Sequence, residues 1–325
     1  MRKEVRTQEA IGLVLAHDLT RIVPGEFKGA AFRKGHVVRE EDIEALLAIG
    51  KEHIYVLDIE AGELHENDAA IRMAAALAAT ALLRTEPHEG KVTLKAPWRG
   101  VLAIDEAALN RINAIGELVV VTKRSGALLE SGASLAGLRA IPLVIEEINV
   151  ETCEHIARVA YPVIDVKPLR SARVGVVTTG SEVAKGRIQD RFGPIIERKL
   201  AALDSSVAAQ RIVGDETGAI AEAIRNFLTE GVDMVLVTGG MSVDPDDRTP
   251  GAIREVATEI VSYGMPVLPG SMTMLAYADD VPIFGLPACV IYDDVTVFDL
   301  LLPRVLAGER LSRDDIARLG HGGWL

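Results

Sequence analysis

Cysteine is scarce in this 325-residue chain. Cys153 and Cys289 stand alone, in neither a CxxC nor a Cys/His ligand pattern. That excludes a disulfide framework, argues against a structural zinc site and suits a reducing cytoplasm. Both thiols read as small buried hydrophobes. Basic blocks are missing as well: 47 acidic residues face 35 basic ones, for a formal net charge of −12. Without a cationic stripe there is no electrostatic footprint for DNA or RNA. Long apolar runs are also lacking. The longest, MAAALAATALL (73–83), is flanked by Arg72 and Arg84; it is too short to span a bilayer and predicts a buried helix. The opening MRKEVRTQEAIGLVLAHD is broken by Gly12 and His17, unlike the core of a signal peptide. No membrane partner is expected.

Familiar catalytic loops are absent too. Gly175 and Gly180 have Walker spacing, but Ser181 and Glu182 follow where Lys and Ser/Thr belong, and no GxGxxG follows a strand. Gly240-Met241-Ser242-Val243-Asp244 departs from a nucleophile elbow at its last position, and downstream of it the only histidine is His321.

A chain of this length predicts two or three domains. Residues 1–84 read as an α+β unit. In it REEDIEALLAIG forms a helix ending at Gly50, EHIYVL forms a strand, and an Ala-rich helix over 66–84 links onward. Residues 85–168 read as a small β-rich module built on KVTLKA, ELVVVT and IPLVIEEI. Residues 169–310 alternate differently. RVGVVTT (173–179), SSVAAQRIV (205–213), DMVLVT (233–238) and VPIFGL (281–286) are strand candidates. FGPIIERKLAAL and ETGAIAEAIRNFLTEG are helices between them. Near-continuous apolar strands alternating with helices predict an α/β fold, a mostly parallel sheet covered on both faces. Residues 311–325 form a tail.

Open parallel sheets take ligands at the carboxyl ends of their strands. Two of these ends are alike: TTGSE (178–182) and TGGMS (238–242) each present Thr, Gly and Ser, whose backbone and hydroxyls suit a phosphate or another oxyanion. Yet Asp244, Asp246 and Asp247 follow at once. One reading is a solvated turn stiffened by Pro245, leading into a helix near Thr249-Pro250 that Asp or Thr caps. The other is that these carboxylates hold Mg²⁺, which reconciles them with an anion.

Taken together, TTGSEV, GRIQD, the position of Asp215 and TGGMSVDPDD resemble the molybdopterin-binding domain of molybdenum-cofactor biosynthesis proteins. Adenylyltransferases, molybdotransferases and gephyrin share this domain. EAIGLVLAHDL, PVLPG and IFGLPACV tilt the resemblance towards the molybdotransferases. The resemblance implies Glu182, Asp215 and Asp247 as catalytic carboxylates at a metal or molybdate site. It implies Thr179, Gly180, Ser181, Gly239, Gly240 and Ser242 as the cradle for the pterin and its phosphate, with Pro269 and Gly270 bordering it. It further implies adenylated or free molybdopterin, Mg²⁺ and molybdate as ligands, apo-molybdoenzymes as partners, and a homodimer. Several family positions have changed. Leu268-Pro269-Gly270-Ser271-Met272 stands where Lys-Pro-Gly-x-Pro is usual, Leu286-Pro287-Ala288-Cys289-Val290 where Leu-Pro-Gly-Asn-Pro is usual, and Phe192 in place of an asparagine. The expected function is therefore molybdopterin binding with Mg-dependent molybdenum insertion, or a non-catalytic carrier of finished cofactor using the same pocket.

Overall fold

The computed structural model describes residues 2–23, 27–57, 59–88, 90–187, 189–242, 244 and 247–325. The chain forms two compact units.

The first unit comprises Met1–Trp98, Leu102–Ser125 and Leu129–Val166. Strand Arg2–Arg6 pairs antiparallel with His53–Leu57, whose alternation sends Ile54 and Val56 into a core with Ala10, Leu15 and Leu46. Helix Asp42–Ala48 stops before Gly50, which takes the left-handed conformation (φ 78°) that a C′ glycine supplies. The Ala-rich helix is Glu66–Leu77 and buries Ala69, Ala70, Met73, Ala74 and Leu77. It is shorter than 66–84. Ala78 turns extended, the Ala79 amide donates to Ile164 O, and Leu83–Arg84 become a strand beside Lys91–Lys95. Tertiary pairing thus overrides the helical propensity of the alanines. Within the stretch that looked β-rich, strands Lys91–Lys95, Ser134–Ala140 and Leu118–Thr122 share one sheet, but helices Glu106–Asn113 and Glu147–Val159 lie there too. The first of these starts where Asp105 Oδ1 accepts from Ala108 N at 2.9 Å.

The second unit is Lys167–Leu325 with two short upstream segments. Its elements are β1 (Arg173–Thr179), α1 (Ser181–Ala184), α2 (Phe192–Ala201), β2 (Ser206–Val213), α3 (Thr217–Thr229), β3 (Met234–Thr238) and α4 (Thr249–Val256). They continue with β4 (Glu259–Tyr263), β5 (Met274–Ala278), β6 (Val281–Leu286), α5 (Cys289–Tyr292), α6 (Val297–Leu306) and α7 (Arg313–Arg318). The sheet order is β2-β1-β3-β6-β5-β4; β2, β1, β3 and β6 run parallel, and β5 is antiparallel to both neighbours. The sheet is therefore mostly parallel, as the apolar runs predict. Strands β4 and β5 escaped the sequence reading.

One face packs on α2 and α6 through Ile196, Leu200, Phe298 and Leu301. The other packs on α3 and α4 through Ile220, Ile224, Phe227 and Ile253. Gly175 of β1 permits this second contact, since a Cβ there would sit 2.5 Å from the Phe227 ring. From β1 the chain passes first to β2 on one side and then to β3 on the other. The strand order reverses at β1/β3, so the crevice outside their carboxyl ends is where this sheet offers a ligand site. The turn between β4 and β5 and the loop after β6 emerge at the same edge, because β4 and β6 run parallel to β3.

Candidate functional site at the carboxyl edge of the sheet

Strands β1 and β3 end in buried threonines: Thr178 and Thr179 on one, Thr238 on the other. Gln210 Nε2 donates to Thr178 Oγ1 (2.8 Å) and to Asp190 Oδ2 (2.6 Å). The Asp190 carboxylate also accepts from the amides of Phe192 (2.9 Å) and Gly193 (3.1 Å), so it caps α2. The first amides of that helix are therefore already claimed by the protein.

After β3, Gly239 and Gly240 both adopt positive φ (90° and 55°). Gly239 lies so close to the end of β1 that a Cβ would sit 2.6 Å from Thr179 O and 2.7 Å from Thr179 Oγ1. Thr249, the first residue of α4, donates its hydroxyl to Gly239 O (2.8 Å) and lies 3.4 Å from Thr179 Oγ1. Among the described residues the expected Asp or Thr cap on α4 is not found: Arg248 occupies the cap with no side-chain bond of its own, the Thr249 hydroxyl serves the glycine turn instead, and Asp246 lies outside the described residues. Tyr263 OH, at the end of β4, donates to Met241 O (3.2 Å) and Ser242 O (3.3 Å). Burial pushes its phenol above the ordinary value, Arg254 opposes that and Asp247 adds to it. The amides of Gly240, Met241 and Ser242 have no acceptor among the described residues. Consecutive free amides on left-handed glycines form an anion-receiving concavity.

The first turn differs. Gly180 N donates to Val213 O (3.2 Å), and Ser181 N to Asp215 Oδ2 (2.8 Å). The exposed Glu182 carboxylate lies against Gly180, 3.1 Å from where a Cβ would be. Asp247 is half-buried, with its amide donating to Asp244 O (2.9 Å), while Asp244 and Ser242 are exposed. Asp246 and Pro245 lie outside the described residues. Among the described residues no three His, Cys, Asp or Glu side chains gather as a metal-binding group. No histidine is hydrogen-bonded to Ser242 among those residues.

Pro269 and Gly270 share this edge but belong to the turn between β4 and β5. Pro269 O accepts from Val297 N (3.2 Å), and a Cβ on Gly270 would come 2.7 Å from Val297 Cγ1. Leu268 N donates to Gly323 O and Leu325 N to Leu268 O (2.8 and 2.9 Å), which ties the tail to the same turn. Thr273 Oγ1 at the base of this turn is buried without a partner among the described residues.

The structure therefore brings Thr179, Gly239 and Gly240 into contact, joins Gly180, Ser181 and Asp215, and leaves Pro269 and Gly270 on a neighbouring turn. Sequence reading missed Tyr263 and Gln210, the capping role of Asp190, and the bond of Thr249 to the glycine turn. Asp190 sat in a motif already singled out. Tyr263 carries no signal, being 21 residues from the carbonyl it holds.

Residues 175–307 match the sequence model of a family described as "Probable molybdopterin binding domain". This bears out the resemblance over that stretch of the second unit. Residues 4–58 match a family described as a domain of unknown function (DUF8806). A CinA-like protein of Mycobacterium sp. (strain MCS) is 43% identical over 79 residues, which is 24% of this chain and 19% of that protein. The chain thus spans about a fifth of the length of such curated relatives. Similar solved structures include the molybdopterin biosynthesis enzyme MoaB of Thermus thermophilus (27% identity, 42% of this chain, 98% of that chain, TM-score 0.37). Another is the molybdopterin biosynthesis Mog protein of Mycobacterium ulcerans (22% identity, 47% of this chain, 95% of that chain, TM-score 0.34).

Proposed function

We propose that the second unit binds a molybdopterin-type ligand across the ends of β1 and β3 and that the chain serves molybdenum-cofactor biosynthesis. The observation that carries this is the Gly239–Ser242 turn: its glycines press against Thr179, carbonyls of Gly239, Met241 and Ser242 are taken by Thr249 and Tyr263, and three successive amides have no acceptor among the described residues. Such a turn fits a phosphate or a similar oxyanion. The neighbouring carboxylates Glu182, Asp215 and Asp247 repel that charge. Among the described residues these three do not gather as a metal-binding group, so Mg²⁺ would be held by one of them together with the ligand's own oxygens, and would supply charge neutralisation there. The chain's own part is positional. Gly239 lets the two strand ends meet, Thr249 and Tyr263 fix the peptide planes of the turn, and Asp215 holds the Ser181 amide.

Two finer readings share this site. In one, Glu182, Asp215 and Asp247 organise Mg-dependent ligation of molybdate to adenylated molybdopterin. In the other, the unit carries finished cofactor to apo-molybdoenzymes; a homodimer is proposed under either reading. Asp215 already serves a backbone amide, and Leu268 and Ala288 stand where the family has a lysine and a glycine; both facts favour the carrier. Calorimetric titration of the full chain with molybdopterin is expected to show saturable binding that Gly239→Val abolishes. No binding by the wild type would sink the proposal. Incubation with adenylated molybdopterin, molybdate and Mg²⁺ then separates the two readings: turnover that Asp247→Ala removes means insertion, and binding without turnover means carriage.

A further inference from the structure

Two clefts of the first unit use their charges differently. One, of about 400 Å³, is lined by Arg72, Glu154, Arg158 and Tyr161 over Ala75 and Ala76. Its Arg72 guanidinium is already bonded to Glu154 (2.8 and 2.9 Å) and Glu147 (2.6 Å), so cation and carboxylates neutralise one another there. The other, of about 240 Å³, lies between helix Glu106–Asn113 and the turn that follows strand Leu118–Thr122. Lys123 and Arg124 line it and enter no ion pair among the described residues, even with Glu106 on the opposite wall.

The walls of this second cleft are set by the backbone. Lys123 N donates to Leu135 O (2.9 Å), and Ile104 N to Ser125 Oγ (3.2 Å). Asn113 brackets Val120, donating to its carbonyl at 3.0 Å and accepting from its amide at 2.8 Å. Two consecutive cationic residues thus stand on a backbone-fixed turn with no ion-pair partner among the described residues, in a chain of net charge −12. Half-buried Ile104 and Leu109 add apolar wall, and the Thr122 hydroxyl and Asn110 amide add polar groups. The volume lies below the roughly 300–1,000 Å³ of sites for drug-sized ligands, so the occupant is small. Glu106 disfavours a second negative charge on it.

We infer that this cleft binds a small organic monoanion, with a carboxylate head at Lys123 and Arg124 and a short apolar body against Leu109 and Ile104. Charge-assisted bonds to two cations supply most of the affinity, and salt weakens it. The test is titration of the full chain with butyrate, acetate and inorganic phosphate at low ionic strength, followed by calorimetry. Butyrate is expected to bind saturably and more tightly than acetate, which has less apolar body, or phosphate, which carries more charge. The double variant Lys123→Ala/Arg124→Ala is expected to weaken butyrate roughly tenfold or more. The charge-matched Lys3→Ala/Arg318→Ala is expected to change it less than twofold. All these positions are exposed, so thermal midpoints verify that each variant folds. Absence of saturable butyrate binding, equal weakening in both double variants, or phosphate bound in preference would each overturn the inference.

Discussion

The two turns that meet at the carboxyl edge, Thr179–Glu182 and Thr238–Ser242, are near-copies in sequence and opposites in hydrogen bonding. In the first, Gly180 N and Ser181 N are spent on Val213 O and Asp215. In the second, carbonyls are spent on Thr249 and Tyr263, and the amides of Gly240, Met241 and Ser242 find no acceptor among the described residues. An anion needs donors, so under the proposed function the second turn would be the receptor and the first its brace. Thr-Gly-Ser after an apolar strand is therefore insufficient evidence for an anion cradle; what matters is which side of each peptide the rest of the fold has already claimed.

The largest expected effect comes from closing the receptor. Gly239→Val forces a β-branched residue into a left-handed backbone and drives its Cβ to within 2.6 Å of Thr179 O. Destabilisation of about 3 kcal/mol or more is expected in chemical unfolding, together with loss of ligand binding. A variant with unchanged stability would mean that the two strand ends do not press together. Asp215→Ala probes the brace instead. Leaving Ser181 N without its partner is expected to cost about 1 to 2 kcal/mol while molybdopterin affinity changes less than threefold. A collapse of affinity at intact stability would move Asp215 from brace to ligand contact.

Much of the α/β unit is visible in its sequence because parallel strands buried on both faces need unbroken apolar runs. RVGVVTT and VPIFGL match β1 and β6 residue for residue. β4 and β5 were missed because EIVSY and MLAYA are short and sit in an antiparallel hairpin at the sheet's margin, outside the strand–helix alternation. The Ala-rich helix was overextended because nothing local in Thr80–Leu83 reveals that Ala79 pairs with Ile164. At the site the same division holds. The glycines were legible, since only glycine fits φ of 90° against Thr179. Tyr263 was not, because its role exists only once β4 lies beside the turn.

That residue provides the smallest test. Tyr263→Phe removes one donor shared by two carbonyls and is expected to cost about 1 kcal/mol. It should loosen the Met241–Ser242 turn, read as faster amide exchange there, and leave Gly180 and Ser181 unaffected. A pH series sharpens this. Burial raises the folded phenol above its unfolded value, so the neutral, donating form is favoured in the fold. The stability it contributes is then fully present below the unfolded value of about 10 and is lost as pH rises through the folded one. Wild-type protein should therefore lose protection of the second turn in that alkaline window, whereas Tyr263→Phe should show no such step at those residues. A step of equal size in both proteins would assign the alkaline loosening to another group and remove Tyr263 from what distinguishes the two turns.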